Sequence, residues 1–551
     1  MTPRSNPNMK DFGLNDEAGL ALWQEETYGD WYRDPWDWPE YWWLRKNIGE
    51  IDFEEYYDPS TRRLRLAPVF HLMDVPKTHL GVRPAVIQDP ISRFLYLTAT
   101  ASAMPRIHSD LPDFVFGWRH RQEESSTDAL TDESDEAQEE WDRYISHVRR
   151  GDSSPSGLQA DLTSFFASIE TDNLIVRLRE RLGASAAYSI ISHVIEEHNK
   201  SSRRSGLSQR SFASAALANF FLQRLDQTLA SHLRLGRVDR VARWMDDIVA
   251  FGHEEELYSL YVEIQEVVRT LSLELNSSKG RLGTAQEAIN AIVLEQIDDI
   301  KVRSKVVQNE YTGRESKVLD VEDMELLNSL EEFALTQGPN GTRPWIRAAL
   351  SSLTVNESFA RQEAWRDNAK NIPHVADSLG RYLRGAAKAE EKKGSKPILR
   401  PLGENPLTWE GLCEWLVAHL KSPWCRIDWV KAQLSLAVPS RKTCPELAEL
   451  YRDWFANSNS AQLLAVSGQR LARIDPTFCW ETVRSRFDDV RDPLIERVFS
   501  LVTLDTGLDM PLAKQIARKS EVNKLLVRAL DDMDWKSPKI SRDFDDRSSR
   551  S

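Results

Sequence analysis

A chain of 551 residues is longer than one hydrophobic core serves, and several domains are expected. No apolar stretch reaches the roughly 18 residues of a membrane span, and the polar start MTPRSNPNMKDFGLNDE holds no apolar signal core, so a cytoplasmic chain with no membrane partner is expected. The net charge of −14 argues against a nucleic-acid ligand only if the charge is evenly spread.

The first sixty residues are rich in aromatics. Trp23, Trp31, Trp36, Trp38, Trp42 and Trp43 sit among Tyr28, Tyr32, Tyr41, Tyr56 and Tyr57. Rings of this kind stack on nucleobases at about 1–3 kcal/mol each. The segment is also acidic, which does not suit a phosphate backbone, so residues 1–60 are expected to pack as an extension or to form an interface. Residues 123–140 carry nine acids and no lysine or arginine, the composition of a flexible, solvated insertion.

LQADLTSFFASI reads as a strand that ends in a turn, with Asp161 at its end and Phe165 and Phe166 just beyond. VARWMDDIVAFG places Val238, Val241 and Trp244 before Asp246 and Asp247, and Ile248, Val249 and Phe251 after them, which predicts a tight hairpin. A hairpin tip beside a strand end gathers the three acids and can hold two hard cations about 4 Å apart. Basic residues cluster nearby: Lys200, Arg203, Arg204 and Arg210 before one apolar helix, and Arg234, Arg237, Arg240 and Arg243 before the hairpin. They are expected to flank bound phosphates, with a solvated helix face as the alternative for any one of them.

From about residue 320 the pattern changes to successive amphipathic helices. LTWEGLCEWLVAHLK sets Leu412, Trp415, Leu416 and Leu420 on one face, with Thr408 as N-cap. PELAELYRDWFANS spaces Leu447, Leu450, Tyr451, Trp454 and Phe455 in the same way, and EVNKLLVRALDDM follows. Breaks are expected at GPNGTRP, at the lysine-rich 388–397, at VPSRKTCP and at ANSNSA. Cys413, Cys425, Cys444 and Cys479 show no C-x-x-C spacing and are expected to be reduced thiols.

The segment SGLSQRSFASAALANFFLQRL resembles motif B of reverse transcriptases, with Gly206, Leu207, Gln209, Ser214, Leu217, Asn219 and Leu222 at the matching places. Asp161 with its two phenylalanines looks like motif A, Arg243–Asp247 like motif C, and LSLELNSSKG like motif D with Lys279 at the family's lysine. VPKTHLGVRPAVIQDPISRFLYLTA resembles the first fingers motifs, with Lys77 and Arg83, and DFVFGWRHR the Gly-aromatic-Arg motif after them. These six blocks keep family order over roughly residues 70–285. Two features depart from the family. Ser208 and Arg210 replace the motif B proline and second glycine, and Trp244 replaces the motif C tyrosine.

The resemblance implies an α+β, right-hand polymerase followed by an all-α, HEAT-like C-terminal domain. The expected divisions are an aromatic extension (1–60), fingers and palm (61–300), a helical thumb or connector (301–390), a helical domain (391–535) and a disordered tail (536–551). It implies an RNA-directed DNA polymerase in which Asp161, Asp246 and Asp247 ligate two Mg2+ ions, Mn2+ being the alternative. Lys77 and Arg83 would grip the triphosphate, Phe166 would exclude a ribose 2′-hydroxyl, Gln209 would line the nucleotide pocket, and Lys279 would protonate pyrophosphate. The implied partners are an RNA template (a dedicated non-coding RNA among the options), a DNA product, deoxynucleoside triphosphates, and a second copy or partner protein. A palm followed by a long helical half is most like the defence-associated and abortive-infection group, which would imply an antiphage role. Untemplated nucleotide addition and an inactive RNA- or protein-binding module stay open as alternatives.

Overall fold

The computed structural model describes residues 7–78, 81–120, 136–202, 205–293, 295–308, 315–337, 343–393 and 406–532. The chain forms two compact units. One comprises Met1–Asp30, Glu40–Phe70 and Val86–Val293, and the other Trp31–Pro39, His71–Ala85 and Leu294–Ser551.

The first unit is α+β. Helix α1 (Asp16–Gly29) is capped by Asn15, whose side chain accepts from Ala18 N, and packs on α2 (Pro90–Ile107). The second helix begins with proline at its first position and Asp89 as N-cap, and it is buried along most of its length, as its mostly apolar and small side chains favour. Further along are α3 (Glu136–Arg149), α4 (Phe212–Phe221), α5 (Gln223–Arg234) and α6 (Glu254–Thr270). Five strands form one sheet: β1 (Val115–Phe116), β2 (Ser156–Asp161), β3 (Arg240–Trp244), β4 (Asp247–Gly252) and β5 (Arg281–Thr284), in the order β1-β3-β4-β2-β5. Strands β1 and β3 run parallel and every other pair is antiparallel. The strand, the hairpin and the motif B helix fall where the sequence places them.

The second unit is largely helical, with α7 (Arg343–Val355), α8 (Ala376–Lys393), α9 (Trp409–Lys421) and α10 (Pro445–Asn457) among its helices. Thr408 caps α9 as expected, its hydroxyl accepting from Gly411 N at 3.1 Å. Leu412, Leu416 and Leu420 are buried, as are Leu447, Tyr451, Trp454 and Phe455 on α10. Among the described residues no helix is long and apolar enough to cross a membrane. All four cysteines are free, and burial pushes the Cys413 and Cys425 thiols up to about 12, far from reactive thiolates.

Four expectations change. The acidic run 123–140 was expected to be flexible throughout, but α3 already begins at Glu136, and residues 123–135 lie outside the described residues. The lysine-rich break at 388–397 begins later, because α8 continues to Lys393 before the undescribed 394–405. The connector 301–390 opens with an antiparallel hairpin, Lys305–Gln308 with Glu315–Val318, rather than helix alone. The aromatic extension 1–60 is no separate piece but is divided between the two units. Trp23 is fully buried against Tyr41 and Phe94, with ring centroids 5.6 and 6.2 Å away. Residues Trp31–Pro39 belong to the helical unit, where the Trp31 carbonyl accepts from Trp429 Nε1 (2.8 Å), Gln433 Nε2 (3.1 Å) and Gln462 Nε2 (3.2 Å). Packing, not base stacking, accounts for these rings. The tail 536–551 and Arg203–Arg204 lie outside the described residues.

Candidate active site

Strand register gathers the acids. Asp161 ends β2, Asp247 begins β4, and the two are direct cross-strand partners, so both side chains share one face of the sheet. Trp244 pairs with Asp247 across the β3–β4 hairpin, which leaves Met245 and Asp246 as a two-residue turn. Met245 takes φ 56°, the left-handed region that costs a non-glycine residue of order 1 kcal/mol and that clusters at functional sites.

A neighbouring segment fixes Asp161 further. Leu275 bridges Leu162, Asn276 N donates to the Asp161 carbonyl at 2.7 Å, and Thr163 N donates to the Glu274 carbonyl at 2.8 Å. The same turn delivers two side chains to the carboxylate: Asn276 Nδ2 to Oδ2 at 3.0 Å and Lys279 Nζ to Oδ1 at 2.9 Å. Lys279 therefore stands at the acids, where the resemblance put it. Burial works against its charge, but Asp161, Asp247 and Asp246 outweigh that and hold its pKa above the usual lysine value. Asn276 was not singled out in the sequence. Its only signal is its place three residues before Lys279 in a serine-rich turn.

The cluster strains toward neutrality. Asp247 is exposed at the start of β4, with protein packed around its carboxylate. That desolvation, and the charges of Asp246 and Asp161, push its pKa up to about 8. Among the described residues no three His, Cys, Asp or Glu side chains form a ready-made metal cage. What the chain presents is a set of carboxylate oxygens whose mutual repulsion a hard cation would relieve.

Motif A and motif B are pressed together. Leu207 N donates to the Phe166 carbonyl at 2.8 Å, and a Cβ on Gly206 would meet that oxygen at 2.8 Å and Ala167 Cα at 2.9 Å. Gly206 also takes φ 131°, so glycine is required twice over. Phe165 is buried, whereas Phe166 and Gln209 are partly exposed on either side of this junction. Arg210 stands where the family has its second glycine, and it keeps a glycine-like φ of 68° with its side chain exposed.

The helix that follows is anchored on both ends. Ser211 caps α4, and Glu26 of α1 accepts from Phe212 N at 2.6 Å while bonding Arg93 of α2. Farther along, Asn219 donates to the Gly117 carbonyl at 2.9 Å and accepts from Arg243 Nη1 at 3.0 Å. Arg243 was expected to flank phosphates. It is instead fully buried, fork-bonded to Asp226 at 2.6 and 2.8 Å, and it donates to the Met245 carbonyl at 2.8 Å. A charge that cannot reach solvent needs a partner at such range, and here the pair also holds the hairpin tip. Lys200 pairs with Glu197 at 2.6 Å, and Arg237 lies 3.9 Å from Glu263.

Trp244, in place of tyrosine, is enclosed by rings. Trp118, Trp141 and Tyr144 lie at centroid distances of 5.4, 4.9 and 5.4 Å. Gly117 (φ 73°) has the indole 3.2 Å from where a Cβ would stand, so the Gly-aromatic-Arg motif makes room for the larger side chain. Lys77 and Arg83 are not brought together with the acids within this unit. Both belong to the helical unit, where Arg83 lies over the Trp31 ring at 5.9 Å.

Residues 92–313 match the family model described as reverse transcriptase (RNA-dependent DNA polymerase). No curated protein matches the chain. Among solved structures the chain is similar to telomerase from Candida albicans in complex with a fragment of telomeric RNA, at 11% identity and a TM-score of 0.26, over 83% of this chain and 69% of that one. Over residues 92–313 the chain is thus similar to the reverse-transcriptase domain, in a region whose fold is α+β.

Proposed function

We propose that the chain is an RNA-directed DNA polymerase that joins deoxynucleotides to a primer 3′-hydroxyl at Asp161, Asp246 and Asp247. The observation that carries this is the Asp161–Asp247 pairing beside the Asp246 turn, inside a stretch that matches reverse transcriptases. The donor set fits divalent magnesium, because strand register and the hairpin turn bring three hard carboxylates to one end of the sheet. Asp161, Asp246 and Asp247 would hold the ions, which supply an activated 3′-hydroxyl and a neutralised triphosphate.

The chain's own residues do the rest. Lys279 carries a proton beside Asp161, placed to meet a departing pyrophosphate. Asn276 keeps the Asp161 carboxylate turned toward the cluster. Phe166, positioned by the Gly206–Leu207 junction, would meet a ribose 2′-hydroxyl and favour deoxynucleotides. For Gln209 at the nucleotide, and for Lys77 and Arg83 at the triphosphate, the support is the motif resemblance. An antiphage role and a place in the bacterial defence-associated group rest on the same kind of support, a palm followed by a long helical half.

The test is primer extension by purified protein with magnesium and each labelled deoxynucleotide, with and without co-purifying RNA. Asp246→Ala and Asp161→Ala should each lower incorporation by about a thousandfold or more while the fold persists by circular dichroism. Full activity in both would end the polymerase reading, and a product unrelated to any added RNA would replace it with untemplated addition. Phe166→Ala should raise ribonucleotide use relative to deoxynucleotide use; an unchanged ratio assigns sugar choice to another residue.

A further inference from the structure

In the helical unit one carboxylate faces three guanidinium groups. Arg343 and Arg347, one turn apart on α7, approach Asp377 of α8 at 3.7 Å each, and Arg381, one turn beyond Asp377, lies at 3.9 Å. Arg33, from the Trp31–Pro39 segment, acts on the same carboxylate. None of these three ion pairs is within hydrogen-bond range, and Asp377 Oδ1 accepts no hydrogen bond among the described residues. Elsewhere in the unit a buried arginine closes on its acid properly: Arg497 meets Asp34 at 2.7 Å.

The group is recessed but open on one side. Arg343 and Asp377 side chains are 11% and 8% exposed, against 27% for Arg347 and 32% for Arg381. Trp31 and Trp429 back Arg343, their ring centroids 5.9 and 5.8 Å from its guanidinium carbon. Burial works against the Asp377 carboxylate, yet Arg347, Arg343, Arg381 and Arg33 outweigh it and hold its pKa below the ordinary aspartate value. Burial pushes Arg381 down to about 10; Asp377 opposes the fall, while Arg33 and Arg347 add to it. The three guanidinium groups stand beyond hydrogen-bond distance of Asp377, so their attraction to it is electrostatic rather than a closed fork, and Arg381 also donates to Ser378 at 3.1 Å. Planar guanidinium forks are the side chains best matched to a phosphate, whose oxygens accept several bonds at once.

We propose that Arg343, Arg347 and Arg381 form a binding site for a phosphate group, carried by a small phosphorylated molecule or by a nucleic-acid backbone. It lies wholly within the helical unit, and its test does not depend on the role of the three aspartates. Asp377 spaces the arginines and weakens binding enough to make it reversible.

Thermal unfolding of the full chain tests this, in chelator and at fixed ionic strength, with pyrophosphate, ATP or a single-stranded DNA 20-mer as probe and chloride as control. Tm should rise by about 3–5 °C at a probe concentration of roughly a hundred times Kd. A rise with pyrophosphate and ATP identifies a free phosphate, and a rise with the oligonucleotide alone identifies a backbone. The rise should vanish in R347Q/R381Q. Asp377→Asn should bring it on at about tenfold lower probe concentration, since one repelling charge is gone. That second variant decides the matter if the arginine double variant does not fold: an aspartate serving structure only would leave the probe response unchanged on removal. No rise with any probe, or an equal rise in R347Q/R381Q, overturns the proposal.

Discussion

Two arginine clusters, one in each unit, are built differently. In the α+β unit Arg243 meets Asp226 through a two-pronged bond, and Arg93 meets Glu26 and Asp30, so each charge is matched at hydrogen-bond range. In the helical unit Asp377 is outnumbered, and its arginines stand off at 3.7–3.9 Å. The contrast separates two uses of the same side chain. Matched pairs fix a shape, here the hairpin that carries Asp246. Mismatched ones keep capacity for a ligand.

The strongest way to break the comparison is to remove most of the helical unit. A fragment ending near residue 390 loses Trp429, Gln433, Gln462, Arg497 and Asp505, the partners of Trp31, Asp34 and Trp36. The indoles of Trp31, Trp36 and Trp38, each at most 3% exposed in the whole chain, then lose the helices beyond residue 390 that help to cover them. Residues 1–390 should be insoluble or aggregated by size-exclusion chromatography. A soluble, active fragment would show that the Trp31–Pro39 segment is dispensable to the helical unit.

Next comes Arg243→Ala, which strands Asp226 and frees the Met245 carbonyl. Loss of one member of a buried pair should cost about 3–5 kcal/mol in denaturant unfolding. A loss below 1 kcal/mol would mean the matched pairs do not fix the hairpin.

The smallest effect concerns a neutral buried group. His108 accepts from His120 N at Nδ1 (3.1 Å) and donates from Nε2 to the Ala216 carbonyl (2.9 Å), which fixes the uncharged tautomer beside α4. Burial pushes its pKa down to about 4 from an ordinary 6.5, with Ala216 opposing and Arg119 adding. Because the folded value is the lower one, the stabilisation is complete above pH 6.5 and is lost as pH falls toward 4. The loss should approach roughly 3 kcal/mol, read as the difference between wild type and His108→Gln across that window. Parallel pH profiles would refute it.

The α+β unit was the more legible in sequence because its motifs are short and local: a strand end, a two-residue turn and a turn-borne lysine each sit within a dozen residues. Asp161, Asp246, Asp247 and Lys279 converge as the motif order implies. Arg243 was misjudged because a basic residue before an acidic turn reads the same whether it faces phosphate or Asp226, and only the helix–strand packing distinguishes them. The division of residues 1–60 was illegible for a related reason. Aromatic density reports that rings will be buried, not against which distant helix, and the partners of Trp31 lie about 400 positions away.

That separation has a consequence for synthesis. Residues 31–39 leave the ribosome early, whereas Trp429 follows 398 residues later. At about 5–20 residues per second the interval is on the order of 20–80 s. Throughout it a segment with Trp31, Trp36 and Trp38 has no finished surface to join, so the nascent chain presents a hydrophobic stretch of the type that holdase chaperones bind. Yield of the chain in cells should therefore respond to elongation speed and chaperone supply more than to any single contact within the finished molecule.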